Sequence, residues 1–296
     1  MNSEISLFPG FSCERVTRDG VTLHSRRGGQ GPALLLLHGH PQSQAMWHRI
    51  TPMLAQQFTV VMMDLRGYGD SDRPLADAEH AAYSKREMAL DAMAVMRHHG
   101  FVRFQVLAHD RGARVAHRLA LDHVLAVERV MLLDIAPTLA MYEQTSEAFA
   151  KAYWHWFFLI QPPPLPEALI ESDPVRYIRS VMGRRHAGLA AFAPQAMAEY
   201  ERCVQIPNTA HGLCEDYRAS ATIDLVHDRA DIAAGVQLVQ PLRVLWGDHG
   251  AVGQCFDVMG LWRERAVNVS GQGLACGHYI AEEAPEALLA EVLNFF

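Results

Sequence analysis

Apolar residues gather in short runs along the first half of the chain. Ala33–Leu37, Phe58–Met63, Phe104–Ala108 and Val130–Leu133 are each predominantly apolar over four to six positions. Runs of this length and composition predict strands buried on both faces, as in a parallel sheet. Between them the apolar spacing widens to three and four residues. Ser43–Gln56, Ser84–His98 (with Met88, Ala89, Met93 and Met96 on one face) and Ala113–Leu121 are predicted helices, and Gly100 is a natural stop for the second. Strand and helix in alternation imply an α/β sheet with crossover helices. From Pro137 to about Val239 the pattern changes to helical, aromatic and proline-punctuated, with no parallel strand evident. The alternation returns at Leu242–Trp246 and Ala266–Val269, and a helix over Glu282–Phe296 closes the chain. The expected organisation is therefore an α/β core made of residues 1–136 and 240–296, interrupted by a helical insertion, 137–239. The two parts share one crevice at the carboxyl ends of the strands.

Composition narrows the field. The chain has 296 residues, half of them hydrophobic, with 26 basic against 33 acidic side chains. A net charge of -7 lacks the basic excess that phosphate backbones require, so nucleic acid is not an expected partner. No run approaches the roughly 18 apolar residues of a membrane span. Met1–Gly10 carries neither a basic start nor a long apolar stretch, so no signal peptide is read there. Five scattered cysteines (Cys13, Cys203, Cys214, Cys255, Cys276) fit reduced thiols in a cytoplasm better than a disulfide framework.

Candidate chemistry clusters where predicted strands end. Ala108-His109-Asp110-Arg111-Gly112 joins an apolar strand to a helix and has the form of a nucleophile elbow with Asp in the nucleophile position. A carboxylate is anionic at neutral pH without help from a base and can displace a leaving group from carbon to form an ester. The alternative is that Asp110 only caps the following helix. Three companions favour the chemical reading: His278 in Gly277-His278-Tyr279, Asp134 at the tip of the next strand, and His38-Gly39-His40-Pro41 after the first. Arg111 and Arg114 lie beside the elbow, and paired guanidinium donors match a small carboxylate substrate. A structural ion pair with a nearby Asp is the other reading, and it suits Arg114 better than Arg111, which sits at the elbow itself. His38-x-His40 is a weak metal pair with no third ligand nearby, so no metal or other cofactor is expected. His98 and His99 are expected at the surface or at a helix end, and Trp154 and Phe157 in ordinary core packing.

The order nucleophile, acid, histidine resembles that of the α/β-hydrolase superfamily. Asp64-Leu65-Arg66-Gly67-Tyr68-Gly69-Asp70-Ser71 extends that resemblance. Many superfamily members place the acid four residues after the Trp of Leu242–Trp246, where this chain has Gly250; Asp248 is then a loop residue and Asp134 the orienting acid. Within the superfamily, Asp110-Arg111-Gly112-Ala113-Arg114, Tyr153-Trp154-His155-Trp156 and Cys214-Glu215-Asp216-Tyr217-Arg218 together resemble the fluoroacetate (haloacetate) dehalogenases. The resemblance spans nearly the whole chain. It implies Asp110 as nucleophile, His278 as base, Asp134 as its partner and Arg111 and Arg114 as carboxylate clamp. It also implies His155, Trp156 and Tyr217 as halide pocket, the backbone amides of His40 and Arg111 as oxyanion hole, glycolate as product and a homodimer. Position 40 is His where the family often has Phe, and position 108 is Ala where Gly is usual. An epoxide hydrolase using the same Asp and His is the nearest alternative, although Arg111 stands where such enzymes generally carry Trp. A ligand receptor on the same scaffold is a third, since fold alone does not settle function.

Overall fold

The computed structural model describes residues 7–296. Eight strands form one sheet: β1 (Ser12–Arg18), β2 (Val21–Gly28), β3 (Ala33–Leu37), β4 (Thr59–Met63), β5 (Phe104–His109), β6 (Val127–Leu133), β7 (Leu242–Gly247) and β8 (Val269–Leu274). Their order is β1-β2-β4-β3-β5-β6-β7-β8. From β4 to β8 every neighbouring pair is parallel, and β1 and β2 add an antiparallel edge.

The central strands are buried on both faces, as their composition predicts. Leu35, Leu37, Val61, Met63, Val106, Leu132 and Val244 enter one apolar cluster, while their chain neighbours Leu34, Leu36, Val60, Met62, Leu107, Leu133 and Leu245 enter another. This is the period-two alternation of a strand with helices on each side. The helix Lys85–His98 covers the first face. Ser84 caps it by accepting from the Glu87 amide at 3.2 Å, Met88, Met93 and Met96 are buried, and Gly100 (φ +87°) ends it. Between β6 and β7 the described chain is helical, from Thr138 to Ala233.

Several sequence-based expectations change. β1 and β2 carry a mixed polar pattern and leave no unbroken apolar run; β1 is a sheet edge, paired with β2 alone, and most of its positions are exposed or half-buried. Ser43–Gln56 is a short 3₁₀ turn, Gln44–Trp47, followed by a single helical turn, Thr51–Leu54; Pro52 fits only in the first turn of a helix. The last strand is Val269–Leu274, whereas Ala266 makes only an isolated bridge to Leu238. The closing helix is divided into Ile280–Glu283 and Pro285–Phe295, again at a proline. Trp154 and Phe157 are only half-buried, whereas His99 lies at the end of the Lys85–His98 helix as expected, buried with Nε2 3.1 Å from Ser25 Oγ.

Candidate active site

The carboxyl ends of β3, β5, β6 and β8 converge. Asp110 opens the helix Asp110–Asp122 directly after β5 and holds φ at +47°, a left-handed conformation uncommon outside Gly, Asn and Asp. Two glycines make the turn possible. A Cβ on Gly112 would lie 2.4 Å from the His38 carbonyl oxygen, and one on Gly39 would lie 2.5 Å from Asp110 Cβ. With neither present, the Gly112 amide donates to the His38 carbonyl at 2.9 Å and the His40 amide donates to Asp110 Oδ1 at 2.9 Å. The His40 amide is thus one of the two expected oxyanion donors, already aimed at the carboxyl group. The Arg111 amide belongs to the first helical turn, where N–H groups have no partner within the helix.

His278 follows β8. Its Nδ1 is 2.5 Å from Asp134 Oδ2, and the other Asp134 oxygen accepts from the Gly247 amide at 3.0 Å. That arrangement makes Nδ1 the protonated nitrogen and turns Nε2 away from the acid. Tyr153 Oη lies 3.3 Å from the same Nδ1, and His109 Nε2 donates to the His278 carbonyl at 2.8 Å. Asp248, the alternative acid, is exposed beyond β7. Gly250 explains the choice: a Cβ there would lie 3.3 Å from Asp134 Oδ1. The two positions from which an acid can reach His278 share one volume, and here the carboxylate comes from β6.

Burial would raise the Asp110 pKa, but electrostatic interaction with His278, His109, Arg111 and Arg114 outweighs it and holds the carboxyl well below the usual carboxylate range. The histidines respond in the opposite sense. Burial pushes His40 down to about 3 and His109 to about 4, and pushes His155 far below its ordinary value, so all three are neutral at pH 7.

The two arginines, both expected to clamp a carboxylate, differ in their partners. Arg111, fully buried, is the one in a structural ion pair. Its Nε and Nη2 each donate at 2.9 Å to the Asp216 carboxylate, leaving Nη1 unpartnered. Asp216 also receives Lys85 Nζ and, at 2.6 Å, the Tyr68 hydroxyl. Arg114 has no carboxylate partner among the described residues. It donates to Thr138 Oγ1 (2.7 Å) and the Ala136 carbonyl (3.2 Å), its Nε is unpartnered, and it stacks 4.7 Å from the Trp156 ring centre. The spacing on one helix could not distinguish the two, because Asp216 arrives from a helix about a hundred residues later.

His155, Trp156 and Tyr217 come together. His155 stacks on His40 at 5.6 Å, Tyr217 lies 5.1 Å from His40 and 5.8 Å from His155, and Arg111 sits 4.1 Å over the Tyr217 ring. Trp156 Nε1 and Tyr217 Oη are buried with no hydrogen-bond partner, an expensive condition for donors unless something else accepts from them. His40 Nδ1 is a further unpartnered nitrogen in the same group. His38 is spent on the backbone: Nε2 accepts from the Leu65 amide at 3.0 Å, and Nδ1 donates to the Gly39 carbonyl at 3.0 Å. A separate cavity of about 580 Å³, bounded by His24, Gln44, Glu199 and Arg202, contains none of these residues.

Residues 32–250 match the family model for the alpha/beta hydrolase fold. A fluoroacetate dehalogenase from Burkholderia sp is 42% identical over 95% of this chain and 92% of its own length. The chain belongs to the fluoroacetate dehalogenase family of the α/β-hydrolase superfamily. It is an α/β-hydrolase enzyme. Family membership does not isolate it, for a soluble epoxide hydrolase from Corynebacterium sp. (strain C12) is 32% identical over 94% of each chain. Among solved structures, an α/β-hydrolase-type chain from Nostoc sp PCC 7120 superposes with a TM-score of 0.92 at 51% identity, covering 96% of this chain and 97% of that one.

Residues that the sequence reading left without a role complete the site. Asp216 and Lys85 fix Arg111, Tyr153 touches His278, and Arg185 lies 4.3 Å over the Tyr153 ring. Asp216 and Tyr153 were visible within the quoted motifs, whereas Lys85 and Arg185 stand in no motif at all.

Proposed function

We propose that this enzyme hydrolyses haloacetates to glycolate and halide through an ester on Asp110, and that residues 137–239 form a cap over the site. The observation that carries the reading is Arg114: a buried guanidinium beside the nucleophile that forms no ion pair with a carboxylate among the described residues. A buried charge without a counter-ion is costly, and a small carboxylate substrate supplies the missing partner. Arg111 Nη1 offers a second donor from a group already fixed by Asp216.

In the first step Asp110 attacks the carbon bearing the halogen. Its Oδ1 is engaged by the His40 amide, which leaves Oδ2 to form the new C–O bond. The C–halogen bond breaks, and its electron pair leaves with the halide. Trp156 Nε1, Tyr217 Oη and neutral His155 are the donors that receive that charge. In the second step His278 Nε2 takes a proton from water, and the resulting hydroxide attacks the Asp110 ester carbonyl. The oxyanion is held by the His40 and Arg111 amides. Collapse expels glycolate and restores the Asp110 carboxylate, and the proton on His278 is returned to solvent. Asp134 keeps the histidine in the tautomer this requires.

One observation supports epoxide hydrolysis as a second reading. Tyr217 Oη has no partner, and a phenol is a suitable donor to an epoxide oxygen. Arg114 weighs against it, because a neutral epoxide leaves that charge uncompensated.

The test is halide release from purified enzyme given fluoroacetate and chloroacetate in parallel, with diol formation from styrene oxide measured beside them. Fluoride and chloride release is expected. Chloride alone would retain the mechanism but show donors too loosely placed for fluoride. Diol without halide would put the epoxide reading first.

A further inference from the structure

The catalytic group is closed off from solvent. Asp110 and His155 are 3% exposed, and Trp156 and Tyr217 are fully buried. On the proposed reading one anion must enter this site and two must leave it in every cycle. Low-dielectric surroundings make such passage costly unless cations line the way.

One cleft reaches the group from outside. It has a volume of about 130 Å³ and is bounded by Trp154, His155, Val181, Arg184 and Arg185, with Lys151 at its rim. His155 belongs both to this cleft and to the site. The three cations differ in their freedom. Lys151 is exposed and tied to Glu147 four residues away on its own helix. Arg184 is exposed to solvent. Arg185 points inward: its guanidinium lies 4.3 Å over the Tyr153 ring, and Tyr153 Oη is 3.3 Å from His278 Nδ1. Its buried Nε has no partner, Nη1 makes a long 3.5 Å contact to the Ala152 carbonyl, the guanidinium also interacts with the Tyr279 hydroxyl, and no carboxylate among the described residues pairs with it. Burial disfavours its charge, but Tyr153 and Tyr279, and after them Asp110 and Asp134, favour the cationic form. A guanidinium left unspent between the mouth and the reacting group is placed to hold an anion in transit.

We propose that Arg185 is an entrance subsite for small monovalent anions, receiving the haloacid carboxylate on the way in and the halide on the way out. This rests on the haloacid reading for its substrate, but anion binding at Arg185 is separable from turnover. No bond is made or broken at this subsite. Its contribution is electrostatic, and so it is sensitive to salt.

The experiment compares wild type with Arg185→Gln, which retains a stem over Tyr153, and with Arg185→Lys, which retains the charge. With chloroacetate at low ionic strength, Arg185→Gln is expected to lower kcat/KM by about tenfold or more, mainly through KM, and to flatten its dependence on salt. Arg185→Lys should recover most of that loss. Independently of turnover, bromide is titrated into the resting enzyme, with the fluorescence of Trp154 at the cleft as reporter. Its apparent affinity should fall several-fold in Arg185→Gln. Equal salt slopes and equal bromide affinity in Arg185→Gln and wild type would overturn the proposal. If the wild type releases no halide from any haloacid, the dehalogenase reading fails, and the bromide titration alone decides whether Arg185 binds anions.

Discussion

At the scale of single residues the site divides labour between groups that are fixed and groups that wait. Asp216 belongs to the first kind. It accepts from Arg111, Lys85 and Tyr68, and the charges of Arg111 and Lys85 hold its carboxyl far below the usual range despite complete burial. Asp216→Asn leaves two buried cations short of an anion. Breaking such a pair costs about 3–5 kcal/mol, so a lower urea midpoint is expected, with Arg111 no longer held. An unchanged midpoint would show that Asp216 does not carry this load. His278 belongs to the second kind, with Nε2 left for water. His278→Asn should still allow Asp110 to be alkylated while the ester persists. Intact-protein mass spectrometry after chloroacetate is expected to show an added carboxymethyl group. Steady turnover without an adduct would remove His278 from the second step. Asp110 itself is ionised throughout the working pH range, so no acidic limb of the activity profile should arise from it.

At the scale of elements, the strand ends set what each residue can reach. Asp134 at the tip of β6 holds φ at +51° and presents its carboxylate to His278 from a tightly bound position, its own amide donating to the Leu245 carbonyl at 2.7 Å. Gly250, beyond β7, faces the same space, since a Cβ there would come within 3.3 Å of the Asp134 carboxylate. Asp134→Ala is expected to lower kcat by about a hundredfold or more, because the histidine loses its orienting partner. Adding Gly250→Asp to that variant should recover at least about tenfold, by supplying the acid from the neighbouring strand. A double variant no better than the single one would show that the two strand ends are not interchangeable. The helical elements were legible where a cap, a periodic apolar face and a stop coincide, as in Lys85–His98. They were misread where prolines cut a longer apolar pattern, as at Pro52 and Pro285. Arg111 and Arg114 stand out together in the sequence, but which of them is neutralised depends on Asp216, and no local pattern records that contact.

At the scale of the whole molecule, the helical segment is tied to the core by a buried acid. Glu282, four residues after His278, accepts at Oε1 from the Tyr200 hydroxyl at 2.6 Å, and Tyr200 in turn accepts from Gln42 Nε2 at 3.1 Å. Burial raises the Glu282 pKa from 4.5 to about 7, against the opposing effects of Tyr200 and Arg49. The folded protein therefore binds this proton more tightly than the unfolded chain does. The stabilisation is fully present below pH 4.5 and is lost as pH rises through about 7. The whole effect amounts to roughly 3 kcal/mol. Thermal melts of wild type and Glu282→Gln from pH 5 to 8 should show the wild type losing Tm relative to the variant as pH rises. Parallel curves would show that Glu282 titrates alike in both states.

The chain's own order of residues determined the α/β class, the strand ends that carry Asp110, Asp134 and His278, and the aromatic and basic motifs around them. These are local properties: an apolar run has to be buried, and a strand-to-helix turn with Gly on one side can expose a carboxylate. The tertiary structure decided what each charged group faces. It assigned Asp216 to Arg111 and Lys85, left Arg114 and Arg185 with no carboxylate ion pair among the described residues, gave His278 its acid from β6 because Gly250 leaves that volume open, and stacked His40 on His155. Coulomb energies and desolvation depend on distance and burial in space, and residues a hundred positions apart acquire both only when the sheet brings them together.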